Sequence, residues 1–199
     1  MSKEEPHNPK HYTPILQKPA CCVPTTLQMI LKRRGLKSYD QEYLGNLMGL
    51  VVPVHLKKHF KKVATAKKTP PHGWGTHIDI EQYSLDSIFT KLDLPLKAEF
   101  RLVDKFNDVA DFKKTLMQIS NDPRSDAMLC VQSGYLEGDT DPVNGHVILL
   151  AAADNKNVYY IDPGSPEEGS IKTTYSKLLR AMQRRGPKDW GGVWQIRQV

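Results

Sequence analysis

Two adjacent cysteines, Cys21 and Cys22, stand just before Pro24 and a run in which Leu27, Ile30 and Leu31 recur at helical spacing. Proline suits the first turn of a helix, where its missing N–H costs nothing. Gly35 suits the position just past a helix end. These residues predict a helix from about Pro24 to Arg34 with Cys22 at its mouth. The positive end of the helix dipole favours a thiolate there and lowers the thiol pKa. The plain alternative is a pair of buried small apolar residues, since free cysteines are commonly buried. A cysteine nucleophile needs a base, and the base needs a group to orient it. His146, beside Gly145, opens a predicted strand, and the glycine lets another chain approach closely. Asp162, followed by Pro163 and Gly164, closes the next predicted strand. An oxyanion needs donors aimed at it. The Cys22 backbone N–H can supply one, and the amide of Gln17, five positions upstream, another. Lys18-Pro19-Ala20 would turn the chain back to the helix start.

Whether His146 and Asp162 can meet depends on the hairpin between them. If its loop is centred on Asp154, the two residues stand directly opposite on one face, with Cβ atoms about 5 Å apart. A two-residue loop at Asn155-Lys156 places them on opposite faces instead. A shared face therefore requires an odd-length loop or a bulge.

The elements that must hold these groups read as helices first and strands later. Residues 1–13 are polar, carry Pro6 and Pro9, and read as a loose arm before a single domain over 14–199. After the first helix, Ser38 or Asp40 can cap a second, with Tyr43, Leu44 and Leu47 on one face. Residues 55–66 form a basic amphipathic segment in which Leu56, Phe60 and Val63 point one way and Lys57, Lys58, Lys61 and Lys62 the others. A Pro/Gly loop over 70–75 carries Trp74, which either lines a substrate groove or packs on the core. A third helix is expected over 80–92, a strand over 97–103, and a helix from Val109 to Ile119 after the Asp108 cap. Short apolar runs over 127–132, 146–152 and 158–161 predict strands. A late helix over 174–183 and a last strand over 193–198 complete an α+β pattern.

The chain of 199 residues is 39% apolar and 25% charged, which fits one globular domain and excludes whole-chain disorder. No apolar run is long enough to span a membrane, and the first residues lack the apolar region of a signal peptide. Three cysteines, two of them adjacent, make a poor disulfide framework, so a reducing compartment such as the cytoplasm is expected. The net charge of +6 carries little information by itself.

Together the pieces resemble the papain-like cysteine peptidases, nearest the double-glycine leader peptidases of bacteriocin exporters and their stand-alone relatives. In that family a Gln precedes a Cys-Gly-Pro-like helix start, and a Gly-His strand is followed by a strand ending in Asp-Pro. Here Gln17, Cys22-Val23-Pro24, Gly145-His146 and Asp162-Pro163 follow in that order. The resemblance implies Cys22 as nucleophile, His146 as base, Asp162 as orienter and Gln17 as oxyanion donor. It also implies a helical N-terminal half packed on an antiparallel C-terminal sheet, and no cofactor. Two departures stand out: Val23 replaces the glycine after the nucleophile, and Gln17 is one residue closer to Cys22 than usual. Cys21 is the rival nucleophile, and Cys130 reads as a core strand residue.

The expected activity is thiol-dependent hydrolysis of a peptide or protein substrate. A transferase on the same scaffold and a non-catalytic peptide-binding module are the alternatives. Trp74 and Gly145 are the candidate substrate-binding residues. His55 and His59 have a spacing that can bind zinc on a helix, but lysines surround them and no metal is expected. The lysines over 57–68 lack an interleaved aromatic platform, so nucleic-acid binding is not expected. The oligomeric state is not written in the sequence.

Overall fold

The computed structural model describes residues 10–138 and 145–199. The first nine positions of the expected arm lie outside the described residues. The last four are not loose. Lys10 Nζ donates to the carbonyl oxygens of Ile119, at 2.6 Å, Asp122, at 3.1 Å, and Ser125. Tyr12 is 3% exposed and its hydroxyl donates to Asp126. The packed fold therefore reaches back to Lys10. The polar composition that suggested an arm is spent there on distant partners.

Helix α1 (Cys22–Arg33) is buried along one side by Leu27, Ile30 and Leu31, the residues whose spacing marked it. Helix α2 (Gln41–Leu47) is capped by Asp40, which accepts the Tyr43 N–H at 2.9 Å. Where a third helix was expected over 80–92, a 3-10 turn precedes α3 (Leu85–Lys91), because Ser84 caps the helix there by accepting the Ser87 N–H. Helix α4 (Val109–Asn121) begins after Asp108 as expected, and α6 (Tyr175–Arg185) after Thr174.

The strands are β3 (Leu96–Leu102), β4 (Ser125–Gln132), β5 (Gly145–Ala153), β6 (Asn157–Ile161), β7 (Ile171–Thr174) and β8 (Gly192–Gln198). They form one antiparallel sheet in the order β3-β8-β4-β5-β6-β7. Alternate residues of its central strands enter two cores. Met128, Cys130, Val147 and Leu149 meet α1, α2 and α3 on one face. Leu129, Val131, Ile148 and Leu150 meet α4 and α6 on the other. The sheet is thus covered on both sides, which is why β4 and β5 read as continuous apolar runs rather than alternating ones. Cys130 is a buried strand residue, as expected.

The basic segment differs from an amphipathic helix. It is a 3-10 helix (Val54–His59) between β1 (Val51–Pro53) and β2 (Ala64–Ala66), which pair in parallel. Leu56, Phe60 and Val63 do point one way, onto Cys21, Leu50 and Val52. A short helix, α5 (Ser133–Glu137), extends β4.

Candidate active site

The turn that feeds α1 is tight. Cys21 N–H donates to Lys18 O at 3.0 Å, with Pro19 and Ala20 at the corners. Ala20 has φ +60°, a left-handed conformation that favours glycine. This turn accommodates the short spacing from Gln17 to Cys22. Cys22 is the first residue of α1, so its N–H has no partner within the helix. Val23, which stands where the family has glycine, is 5% exposed and packs in the core with Tyr12 and Leu27, away from solvent.

His146 lies at the start of β5, paired with Val131 of β4. Asp162 follows the last residue of β6. The connection between β5 and β6 does turn at Asn155-Lys156, with Asp154 N–H donating to Asn157 O at 3.0 Å. That two-residue loop alone would put His146 and Asp162 on opposite faces. A bulge between Leu150 and Ala152 shifts the register by one residue and restores a shared face. Pairs nearer the site are Leu150 with Tyr160 and Leu149 with Ile161. His146 and Asp162 are therefore diagonal neighbours rather than direct opposites. The diagonal is short enough for His146 Nε2 and Asp162 Oδ1 to lie 2.7 Å apart.

With Nε2 committed to Asp162, Nδ1 is the ring nitrogen left for Cys22, which hydrogen-bonds the His146 side chain. Burial alone would raise the Cys22 thiol pKa, but a hydrogen bond and charge from His146, the Val147 backbone N–H and the Arg185 charge bring it below its ordinary value. Burial would lower the His146 pKa; its hydrogen bonds to Asp162 and Cys22 outweigh this and lift it to about 10. Asp162 is held below the usual carboxylate range against its own burial by His146 and by the Gly164 N–H, 2.6 Å away. Both shifts favour the charge-separated pair, a thiolate beside an imidazolium, over the neutral one. Cys21 behaves oppositely: it is fully buried, and burial pushes its thiol up to about 12. Cys130 is likewise pushed up to about 11. Of the three free cysteines, Cys22 alone is partly exposed.

Gln17 is fixed by its backbone, whose N–H donates to Pro163 O at 2.9 Å. This bond joins the turn before Cys22 to the turn after Asp162. The Gln17 side-chain oxygen is buried without a hydrogen-bond partner. Trp74 is half-buried, and its loop is tied to β1 by the paired backbone bonds of Gly75 and Val51, at 2.9 and 3.0 Å. The neighbouring Val52 packs on Cys21. The close approach expected at Gly145 is made by the chain itself: a Cβ there would fall on the Arg185 guanidinium. Arg185 Nε also donates to Asp189 O at 2.6 Å, and Nη1 to Val131 O at 3.4 Å. Arg185 is the site residue that the sequence reading missed. It lies in the last turn of α6, past the expected helix end at 183, and only the fold brings it to Gly145.

His55 and His59 are exposed on a 3-10 helix, whose three-residue turn separates residues four apart. Among the described residues no group of three potential ligands could hold a metal ion. A surface groove of about 580 Å³ lies on α4, lined by Ala110, Lys113, Lys114, Met117, Gln118 and Asn121, and shares no residue with the Cys22 site.

This chain matches solved structures over nearly its whole length. A protein described as a C39-like peptidase from Bacillus anthracis superposes with a TM-score of 0.58 at 15% identity, covering 98% of this chain and 99% of that one. The fold is papain-like, as in the C39-like peptidases. A double-glycine motif protease from an AMS/PCAT transporter, solved with a leader peptide, gives a TM-score of 0.53 at 13% identity, covering 96% of this chain and 94% of that one. The peptidase domain of Streptococcus ComA, a bi-functional ABC transporter of a quorum-sensing pathway, gives 0.51 at 15% identity, covering 95% and 100%. No family model and no curated protein sequence matches the chain. The papain-like fold is thus shared with structures that are only 13% to 15% identical in sequence. No helix among the described residues is long and apolar enough to cross a membrane.

Proposed function

We propose that this papain-like chain is a cysteine peptidase, acting as one domain from about Lys10 to its end. What supports the reading is the 2.7 Å contact of His146 Nε2 with Asp162 Oδ1, together with Cys22 at the start of α1, where the His146 side chain favours a lowered thiol pKa. The Cys22 thiolate attacks the scissile carbonyl carbon, and the carbonyl electrons move onto oxygen. The Cys22 N–H at the helix start and the Gln17 amide stabilise that oxyanion. The Gln17 amide nitrogen lies beside Gly164, in the turn after Asp162, and is the second donor in this reading. The tetrahedral intermediate collapses to a thioester as His146 gives its proton to the departing amine. Neutral His146 then takes a proton from water, the hydroxide attacks the thioester, and the acid product leaves the restored thiolate. Asp162 holds the imidazole in register throughout. Trp74 is the proposed contact for the substrate, and Gly145 leaves room for Arg185.

A module that only binds peptide gains nothing from a thiol held in this state, which favours the enzyme. A thiol nucleophile must stay reduced, so a reducing compartment such as the cytoplasm is the proposed location. The test is hydrolysis of a proteome-derived peptide library. Wild-type protein cleaves it, and Cys22→Ala loses at least about 10³-fold in rate. Cleavage retained by Cys22→Ala overturns the reading.

A further inference from the structure

We propose that the segment between Glu42 and Asp79 recognises an acidic stretch of the peptide that the active site acts on; this rests on the peptidase reading. The segment contains no acidic residue and no arginine, but six lysines: Lys57, Lys58, Lys61, Lys62, Lys67 and Lys68. The chain has 28 Lys plus Arg against 22 Asp plus Glu, a net charge of +6. These six lysines alone account for that excess. All six are exposed, and none forms an ion pair among the described residues.

The strip adjoins the site. Its apolar residues Leu56, Phe60 and Val63 pack around Cys21, the neighbour of the nucleophile. Lys18, in the turn from Gln17 to Cys22, stands over the Phe60 ring at 5.8 Å. The same Lys18 lies 3.8 Å from Glu42. Glu42 in turn accepts the backbone N–H groups of Lys61, at 2.8 Å, and Lys62. Glu42 thus fixes the strip by its backbone and leaves its ammonium groups to solvent. A substrate crossing Cys22 and running past Lys18 meets a row of uncompensated positive charge. Screening limits that attraction to about 8–10 Å at physiological salt, so it acts only on a chain already in the cleft or entering it. Phe60, between the 3-10 helix and β2, packs onto Cys21, Leu50 and Val52. Phe60 therefore offers no stacking surface for bases, and of the large apolar side chains over 54–66 only Val54 is exposed, too little to seat in lipid. An extended acidic peptide needs neither.

The test uses the full chain, a fluorescein-labelled oligo-glutamate peptide and its oligo-glutamine counterpart. Binding is read by anisotropy, and occupancy of the site by the rate at which iodoacetamide alkylates Cys22. Oligo-glutamate binds in a salt-sensitive way and slows alkylation; oligo-glutamine does neither. The combined Lys57→Glu, Lys58→Glu, Lys61→Glu and Lys62→Glu variant binds at least about tenfold more weakly and loses the protection. The corresponding Lys→Gln set, which avoids new like-charge repulsion, shows the same loss in smaller degree. Equal binding of the two peptides, unchanged binding by both variant sets, or binding without protection of Cys22 overturns the proposal. Protection by oligo-uridylate or by phosphatidylserine vesicles but not by oligo-glutamate also overturns it, in favour of that partner. Hydrolysis is not read in this experiment, so the peptidase reading and the acidic-stretch reading fail separately.

Discussion

Helix α1 carries charge-bearing clusters at both ends, and they are built differently. At the C-terminal end Arg33 Nη2 and Arg34 Nε donate to Asp126 at 2.9 and 2.6 Å, and the Tyr12 hydroxyl adds a third donor. The Asp126 side chain is 0% exposed. At the N-terminal end Cys22 meets His146 and Asp162, whose side chains remain 13% and 12% exposed. Both arrangements suit the helix dipole, with cations at the C-terminus and a thiolate at the N-terminus. The difference is saturation. Each Asp126 oxygen is already claimed, whereas the Cys22 end retains a half-buried cysteine, a helix-start N–H and a Gln17 oxygen without a hydrogen-bond partner. A buried carboxylate with both oxygens claimed fixes structure, and a half-buried thiol beside a helix-start N–H can do chemistry. The exposure of a charge pair and its spare hydrogen-bonding capacity therefore say more about its role than the pair's length.

This contrast can be broken by substitution. The largest expected effect is at the open end: Cys22→Ala abolishes turnover, and its stability by urea unfolding changes by no more than about 1 kcal/mol. At the closed end the balance reverses. Asp126→Ala leaves two arginines without their carboxylate and costs about 3–5 kcal/mol of stability by urea unfolding. The rate of Cys22 alkylation per folded molecule stays within about twofold, because Asp126 does not touch the site. A normal midpoint with altered alkylation would break the division of labour.

The sharper comparison uses pH. The His146 pKa is raised from 6.5 to about 10 in the fold, so the protonated ring is bound more tightly in the native state. Its contribution to stability is fully present below about pH 6.5, until acid protonates Asp162, and is lost as pH rises through about 10. Urea titrations of wild type and His146→Gln should thus differ most near neutral and mildly acidic pH and converge above pH 10. Convergence on the acid side instead would mean that His146 is neutral in the fold.

A smaller effect is expected at Gly145. Gly145→Ala pushes Arg185 off its seat and loosens the start of β5, lowering kcat/KM by about tenfold. In an Arg185→Ala background the same substitution costs little, a coupling that a double-mutant cycle reads directly. The smallest effect is Ala20→Gly, which relieves the left-handed residue in the turn before Cys22 and stabilises by about 0.5–1 kcal/mol in thermal unfolding.

The helices and core strands were legible because their signals are local. Leu27, Ile30 and Leu31 repeat at helical spacing, Asp40 and Asp108 cap, and the central strands are short apolar runs. His146 and Asp162 were legible as chemistry, but their register was not. The bulge that brings them to one face sits in Ala151-Ala152-Ala153, where no side chain marks it. The basic segment misled through its apolar spacing. Lys57 with Lys61 and Lys58 with Lys62 are like charges four apart, which disfavours a continuous α-helix. Glu42 then takes the N–H groups of Lys61 and Lys62 that such a helix would need. Lys10, Tyr12 and Arg185 were invisible because their partners lie far along the chain or beyond a helix end misplaced by two residues.

The most direct test is site-resolved alkylation of the native chain by iodoacetamide across pH, read by mass spectrometry of peptides bearing each cysteine. The account predicts that Cys22 alone is labelled while the fold holds, with a midpoint clearly below that of a free thiol at about 8.5, and that His146→Gln moves the midpoint upward. Labelling of Cys21 or Cys130 instead, or an ordinary midpoint at Cys22 indifferent to His146, would contradict it.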